Sequence, residues 1–412
     1  MTMICSEQKP RLAAEHRLSV HVDQRMDEHY VKRVQQLLGG EHMHAWRKAG
    51  PDTILLAGND YLCIGAEPAL LQAQIDSLAQ SKAALLMSSV FLQEGSAQHR
   101  LERKCARYLQ AEDSVLAQSG WAANVGLLQS IAGTGVPVYL DMMAHASLWE
   151  GVLSAGAVAV PFMHNDMGHL ERQLREHGRG VIVVDALYST DGSLCPLRDA
   201  VALAERSDSL LVVDESHSLG THGPHGAGLV VEYGLQQRVH FRTASLAKAF
   251  AGRAGLITCS SRFKGYFLSS SRPAIFSSCL LNHELAWFDQ ALDVIAAADD
   301  RREALRHNTR LVRSGLGALG YCLEGSEQIV ALEAGPEPKT LVLRKALEAR
   351  GIQGAVFCAP ATPKNRSLVR LTLNAGLTPV EIETLLDACE AIRGEVDLAG
   401  WSSTRRAARG RA

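Results

Sequence analysis

The chain has 412 residues, 47% hydrophobic and 21% charged, with a net charge of −2: enough for two domains with extensions, and no reason to expect nucleic acid as a partner. Nine cysteines without a C-x-x-C pair point to reduced thiols in a cytoplasmic protein and away from a zinc site or a disulfide framework. No apolar run is long enough to span a membrane, and residues 1–20 lack the apolar core of a signal peptide.

Residues 1 to about 25 are polar and mixed and read as a loose arm. Tyr30, Val31, Val34, Leu37 and Leu38 predict a helix over 28–38, stopped by Gly39-Gly40. Ile54-Leu55-Leu56 leads into the turn Asn59-Asp60-Tyr61-Leu62. From about 67 to 295, short apolar runs alternate with amphipathic stretches. The predicted strands are 114–117, 136–140, 158–160, 181–184, 210–213, 239–243 and 256–258. Helical spacing falls between most of them, as at 122–131, 167–177 and 197–206. That alternation predicts an α/β fold, a mainly parallel sheet covered by helices on both faces.

From about 296 the texture changes. A charged helix over 299–316 precedes an apolar run at 328–332, a helix at 340–349, a strand at 368–373 and a helix at 379–392. This reads as a smaller α+β domain over 296–398, following an arm and helix (1–66) and a large domain (67–295). Residues 399–412 carry Arg405, Arg406, Arg409 and Arg411 and are expected to form a disordered, solvated basic tail. The match of Gly315-Leu316-Gly317-Ala318-Leu319-Gly320 to G-x-G-x-x-G is discounted, because it ends a helix instead of linking a strand to one.

The chemistry gathers at predicted strand ends, where parallel sheets place their ligands. Thr243-Ala244-Ser245-Leu246-Ala247-Lys248-Ala249-Phe250 holds a lysine among small and apolar residues. Desolvation there would lower its pKa and free the amine to attack a carbonyl. The functional reading is a Schiff-base lysine for pyridoxal phosphate (PLP), with Ser245 as a phosphate donor; the plain alternative is a lysine at an element's end. The run 210–213 is followed by Asp214-Glu215-Ser216-His217. A buried carboxylate at that point requires a cation, and a protonated pyridine nitrogen is one. His217 could reach the cofactor's phenolic oxygen. Gln118-Ser119-Gly120-Trp121 precedes an Ala-rich helix, which offers either an anion site or an ordinary Ser cap. His145, in Asp141-Met142-Met143-Ala144-His145, could lie flat on the ring or be structural. Ser189, in Tyr188-Ser189-Thr190-Asp191-Gly192, could bond the cofactor oxygen.

Taken in order, these stretches resemble the α-oxoamine synthases. The resemblance runs through Asn59 to Leu62, Ser119 to Asn124, His145-Ala146-Ser147, His164-Asn165-Asp166, Ser189 to Gly192, Asp214 to His217, Gly223 to Gly228, Ser245 to Lys248, Arg272 to Leu280 and Arg370 to Asn374. Within that family the chain is most similar to the synthases of α-hydroxyketone quorum-sensing autoinducers. The resemblance implies the PLP-dependent transferase fold type I, with a mainly parallel seven-stranded sheet and a smaller C-terminal domain. It implies condensation of an acyl-CoA with an amino acid, with loss of CoA and CO₂. It further implies that Lys248 carries PLP and moves the α-proton, Asp214 pairs with the pyridinium, His145 stacks on the ring, and Ser189 and His217 face the phenolic oxygen. Ser119, Gly120 or Trp121, with Ser245, would hold the phosphate. Ser277 and Ser278 would reach it from the partner subunit of a homodimer, and Arg370 would anchor the amino-acid carboxylate. Two departures stand out. Met87 to Ser96 lacks the glycine-rich stretch of broader members, which puts glycine or alanine as donor in doubt, and Trp121 replaces their usual Phe or Tyr.

Overall fold

The structure, a computed structural model, describes residues 20–45, 48–80 and 87–409. The first 19 residues of the expected arm and the last three of the expected tail lie outside them. Ordered helix begins earlier than the spacing predicts: Val20–Asp27 runs directly into a wider helical segment, Glu28–Leu37. Gly39 and Gly40, both at positive φ (63° and 89°), end it as expected.

Strand β1 (Ile54–Leu56) is followed by the seven strands of the large sheet: β2 (Asp113–Ala117), β3 (Pro137–Asp141), β4 (Val158–Phe162), β5 (Val181–Asp185), β6 (Leu210–Asp214), β7 (Phe241–Ser245) and β8 (Gly255–Cys259). Their order is β2-β8-β7-β6-β5-β3-β4. All seven predicted runs are strands, displaced by at most two residues at either end. The central strands are runs of β-branched and aliphatic residues, as a sheet covered on both faces requires. β5 and β6 each close on an aspartate, and Asp185 and Asp214 are direct neighbours across the pair.

Only β8 runs against its neighbours. The connection from β7 to β8, residues 246–254, is too short to carry a crossover helix, so the strands pair antiparallel. Lys248 lies on this connection. Leu246 N–H bonds to Ala254 O, and Ala251 N–H to Lys248 O, which folds the connection tightly around the lysine. Leu246, Ala249 and Phe250 are buried.

The second sheet has the order β1-β10-β11-β9, with β9 (Ile329–Gly335), β10 (Ile352–Phe357) and β11 (Ser367–Thr372). β1 pairs parallel to β10, placing a segment from the start of the chain in the C-terminal sheet. The G-x-G-x-x-G match falls at the end of the helix Asp299–Ala318.

The expectation of a solvated tail is corrected for its described part. Trp401 is 1% exposed, its ring edge-on to Tyr321 and its indole N–H donating to Val396 O at 2.9 Å. The helix Ser402–Arg409 packs against β9. Arg406 is not solvated alone but paired with the buried Glu333. Composition misled because the arginines were read apart from the tryptophan that anchors them.

Candidate active site

β3, β5, β6 and β7 run parallel, so their carboxyl ends open on one edge of the sheet. A pocket there is lined by Gly120, Trp121, Asn124, His145, Ser147, Asp185, Asp214, Ser216, His217, Ser245 and Lys248. Seven of the residues singled out in the sequence therefore share one cavity: Gly120, Trp121, His145, Asp214, His217, Ser245 and Lys248.

Asp214 is 4% exposed. Its Oδ2 accepts from Asn124 Nδ2 at 2.7 Å and its Oδ1 from Ser216 N–H at 2.8 Å. No lysine, arginine or histidine forms an ion pair with it among the described residues. A buried carboxylate with donors but no cation suits a protonated ring nitrogen. The second amide hydrogen of Asn124 goes to Ser147 Oγ at 2.9 Å, and Ser147 Oγ lies 2.8 Å from His145 Nδ1. His145 caps the helix Ala146–Ala155, its Nδ1 taking the Ser147 N–H at 3.3 Å. The ring is thus oriented from below while one edge stays open.

Ser119 caps the helix Gly120–Ile131 by accepting from Ala122 N–H at 3.1 Å. The N–H groups of Gly120 and Trp121 remain at the helix start, an anion site by geometry and dipole. A Cβ on Gly120 would lie 2.6 Å from Ser245 Cβ, so glycine is what lets the β7 end approach this helix. Ser245 N–H donates to Ser216 Oγ at 2.7 Å. The helix start and the end of β7 leave a narrow cradle that would suit a phosphate.

Charge in this pocket is finely set. Burial, aided by the nearby Arg370 charge and opposed by Asp214, holds Lys248 below the ordinary lysine range. No hydrogen bond or ion pair ties down its Nζ among the described residues. Burial, and then the Lys248, Arg370 and His145 charges, hold His217 well below the usual histidine value, which keeps it neutral; its Nδ1 lies 2.6 Å from the Tyr61 hydroxyl. The packing around His145 lowers it too, against the pull of Asp214. Asp185 is raised well above the carboxylate range by burial and by Asp214.

Arg370 sits on β11, 5% exposed. Its Nη1 donates to Ser189 O at 2.7 Å and its Nη2 to Asn59 Oδ1 at 3.2 Å, while the guanidinium stacks over Phe357 at 4.5 Å. Its Nε is buried without a partner, and no carboxylate neutralises it among the described residues. Ser189 reaches this site through its backbone; its hydroxyl has no hydrogen bond among the described residues. Ser277 and Ser278 do not line the pocket of their own chain. Both are exposed, Ser277 Oγ bonding to Pro273 O and Ser278 O accepting from Gln118 Nε2 at 2.7 Å.

Sequence reasoning passed over Asn124, Ser147, Asp185 and Ser216 as site residues. Asn124 gave little signal: it lies one helical turn after Gly120, but Gln129 and Ser130 are polar residues of the same helix. Asp185 gave more, a second valine-rich run ending in aspartate.

Residues 51–389 match the family "Aminotransferase class I and II". The chain belongs to that family. It is 42% identical over 369 residues to the CAI-1 autoinducer synthase of Vibrio campbellii, covering 90% of this chain and 94% of that protein. The 8-amino-7-oxononanoate synthase of Gluconacetobacter diazotrophicus is 31% identical, covering 89% and 94%. Among solved structures, serine palmitoyltransferase with PLP superposes with a TM-score of 0.84 at 25% identity over 91% of this chain and 99% of that one. The S. paucimobilis enzyme, bound to a PLP–myriocin adduct, matches equally well at 24% identity, a likeness of fold alone. This aminotransferase-family chain is a fold type I, PLP-dependent transferase of the α-oxoamine synthase kind. The residues lining the pocket fit the cofactor: Asp214 would serve the ring nitrogen, His145 would lie beside the ring, and Gly120, Trp121 and Ser245 would hold the phosphate.

Proposed function

We propose that the enzyme condenses a medium- or long-chain acyl-CoA with an amino acid of the 2-aminobutyrate or S-adenosylmethionine type. CoA and CO₂ leave, and the product is an α-aminoketone, precursor of an α-hydroxyketone quorum-sensing signal. The observation that carries this is the 42% identity to the CAI-1 autoinducer synthase, spread over nearly the whole of both chains. Bound PLP supplies the electron sink that weakens the bonds at the amino acid's α-carbon. The protein's own groups do the rest. Arg370, buried and lacking an acidic partner, takes the substrate carboxylate in a two-pronged contact. Lys248, its pKa lowered by burial and facing the pocket, is the amine placed to accept the α-proton. Asp214 keeps a positive charge on the ring nitrogen. Neutral His217 offers a hydrogen bond without adding charge.

A homodimer belongs to this reading. Trp121 and His145 leave one side of the pocket open, and Ser277, Ser278 and the 81% exposed Phe276 lie on a bare surface of the same chain. A cytoplasmic location belongs to it too, supported by eight free cysteines among the described residues.

The test is mass spectrometry of the product from purified enzyme given mixed acyl-CoAs and amino acids. An aminoketone with a medium or long acyl chain, formed with stoichiometric CoA release, is the expected result. Product only from pimeloyl-type donors with alanine would make it an 8-amino-7-oxononanoate synthase. Amino-group exchange without CoA release would make it an aminotransferase.

A further inference from the structure

Beside the cofactor pocket lies a cavity of about 430 Å³ between the two sheets. Met142, Met143, Trp149 and Met163 line one side of it, and Ala144 and Ala146, the sequence neighbours of His145, line it too. Its outer wall is the loop 358–366, which contributes Pro360, Ala361, Thr362, Pro363 and Arg366. The backbone hydrogen bonds of this loop are local turns: Ala361 and Thr362 N–H to Cys358 O, and Arg366 N–H to Pro363 O. Between Ala359 and Arg366, the only side-chain hydrogen bonds among the described residues are those of Arg366 to Glu333, from Nε at 3.2 Å and Nη2 at 2.8 Å.

Glu333 is a buried carboxylate on β9, and it is shared. Arg406, from the C-terminal helix, donates Nη1 to its Oε1 at 2.6 Å and Nη2 to its Oε2 at 2.9 Å. Ser403 Oγ donates to the Glu333 carbonyl at 3.0 Å. The helix is seated by a close approach: a Cβ on Gly335 would fall within 2.0 Å of Ser402 Oγ. Arg366 alone could neutralise Glu333, so the second arginine is not needed to bury that charge. Its effect is to fix the carboxylate's position, and with it Arg366 and the loop.

We propose that Arg406 is a positioning residue: through Glu333 and Arg366 the C-terminal helix holds loop 358–366 as the wall of the acyl donor's cleft. This rests on the acyl-transfer reading above. The cleft's surface is mainly apolar, which suits a hydrocarbon chain better than an amino acid, whose carboxylate is served by Arg370 elsewhere on β11. A linear thioester chain matches its methionine-rich wall, because flexible thioether side chains adapt to such chains. Loosening the wall therefore weakens acyl-donor binding and leaves the amino-acid side alone.

The experiment compares the full-length holoenzyme with Arg406→Ala and Arg406→Lys. Two readouts are used: hydrogen exchange of residues 358–366, and KM for decanoyl-CoA and for the amino acid, each varied in turn. Arg406→Ala is expected to speed exchange in the loop and to raise the decanoyl-CoA KM on the order of tenfold, with amino-acid KM and kcat within about twofold. Arg406→Lys should recover part of both, since an ammonium keeps the charge but not the fork. Unchanged loop exchange in Arg406→Ala overturns the proposal. So do equal KM changes for both substrates with a fall in melting temperature, which would mean general loosening. Failure of the underlying acyl-transfer reading looks different: the unaltered enzyme would release no CoA from any acyl-CoA, while loop exchange would still report the latch.

Discussion

Asn124 Nδ2 lies 2.7 Å from Asp214 Oδ2, and the same amide reaches Ser147, which in turn bonds to His145. One side chain thus links the Asp214 carboxylate to the His145 imidazole. Asn124→Ala should lower turnover by roughly tenfold, and Asp214→Asn by on the order of 10²-fold or more, because a neutral amide cannot hold the ring proton. Exchange of the amino acid's α-proton in deuterated water measures both. Equal exchange in Asp214→Asn and the unaltered enzyme would remove Asp214 from its assigned role.

Lys248→Ala should abolish turnover while leaving a folded protein. Only a primary amine can bond covalently to PLP and be displaced again. The visible absorbance of lysine-bound cofactor should vanish, and borohydride should no longer attach PLP to the chain. Persistence of either signal would point to another lysine.

Arg370→Ala should raise KM for the amino acid far more than for the acyl-CoA, a loss of roughly 2–4 kcal/mol on one substrate. An arginine on a strand of the smaller domain could instead form a carboxylate bridge between domains. Among the described residues Arg370 has only neutral partners, Ser189 O, Asn59 Oδ1 and the Phe357 ring, so its charge is available to a ligand. Steady-state kinetics with each substrate varied decides this; matched KM changes with a lower melting temperature would make it a structural tie.

His217 should make the fold acid-sensitive. Buried and neutral, it has a folded-state pKa held well below the ordinary 6.5. Above pH 6.5 neither state binds the proton. Below it the unfolded chain does and the folded one does not, so stability falls by about 1.4 kcal/mol per pH unit until the folded pKa is reached. His217→Gln should flatten the dependence between pH 6.5 and 5.5 by about one proton's worth of slope. Urea unfolding at stepped pH checks it, and parallel slopes would refute it.

The large sheet was legible because its strands are short runs of valine, isoleucine and leucine set between amphipathic helices. Asp214 and Lys248 were legible because a charge embedded in apolar sequence requires a reason. β10 was not: Gly354 interrupts it, and its stability comes from β1 and β11, which no local window contains. Asn124 and Ser147 were hidden because their importance lies in one another; each is an ordinary polar residue on a helix until the fold sets them 2.9 Å apart. The C-terminal helix was misread because Arg406 is explained by Glu333, more than seventy residues earlier in the sequence.

The pairing of β1 with β10 sets an order of assembly. Ile54 aligns with Ile352, so on a growing chain β1 has no partner strand until the C-terminal third has been made. The large sheet, β2 to β8, is complete well before that point. A ribosome-bound intermediate would therefore carry a finished cofactor-lysine loop and a dangling Ile54-Leu55-Leu56 edge, and the pocket would still lack Arg370. Premature termination anywhere between β8 and β10 would leave the same species permanently. Its exposed apolar edge is open to pairing with another chain, which makes truncated forms of this enzyme prone to aggregate even where their larger sheet is intact.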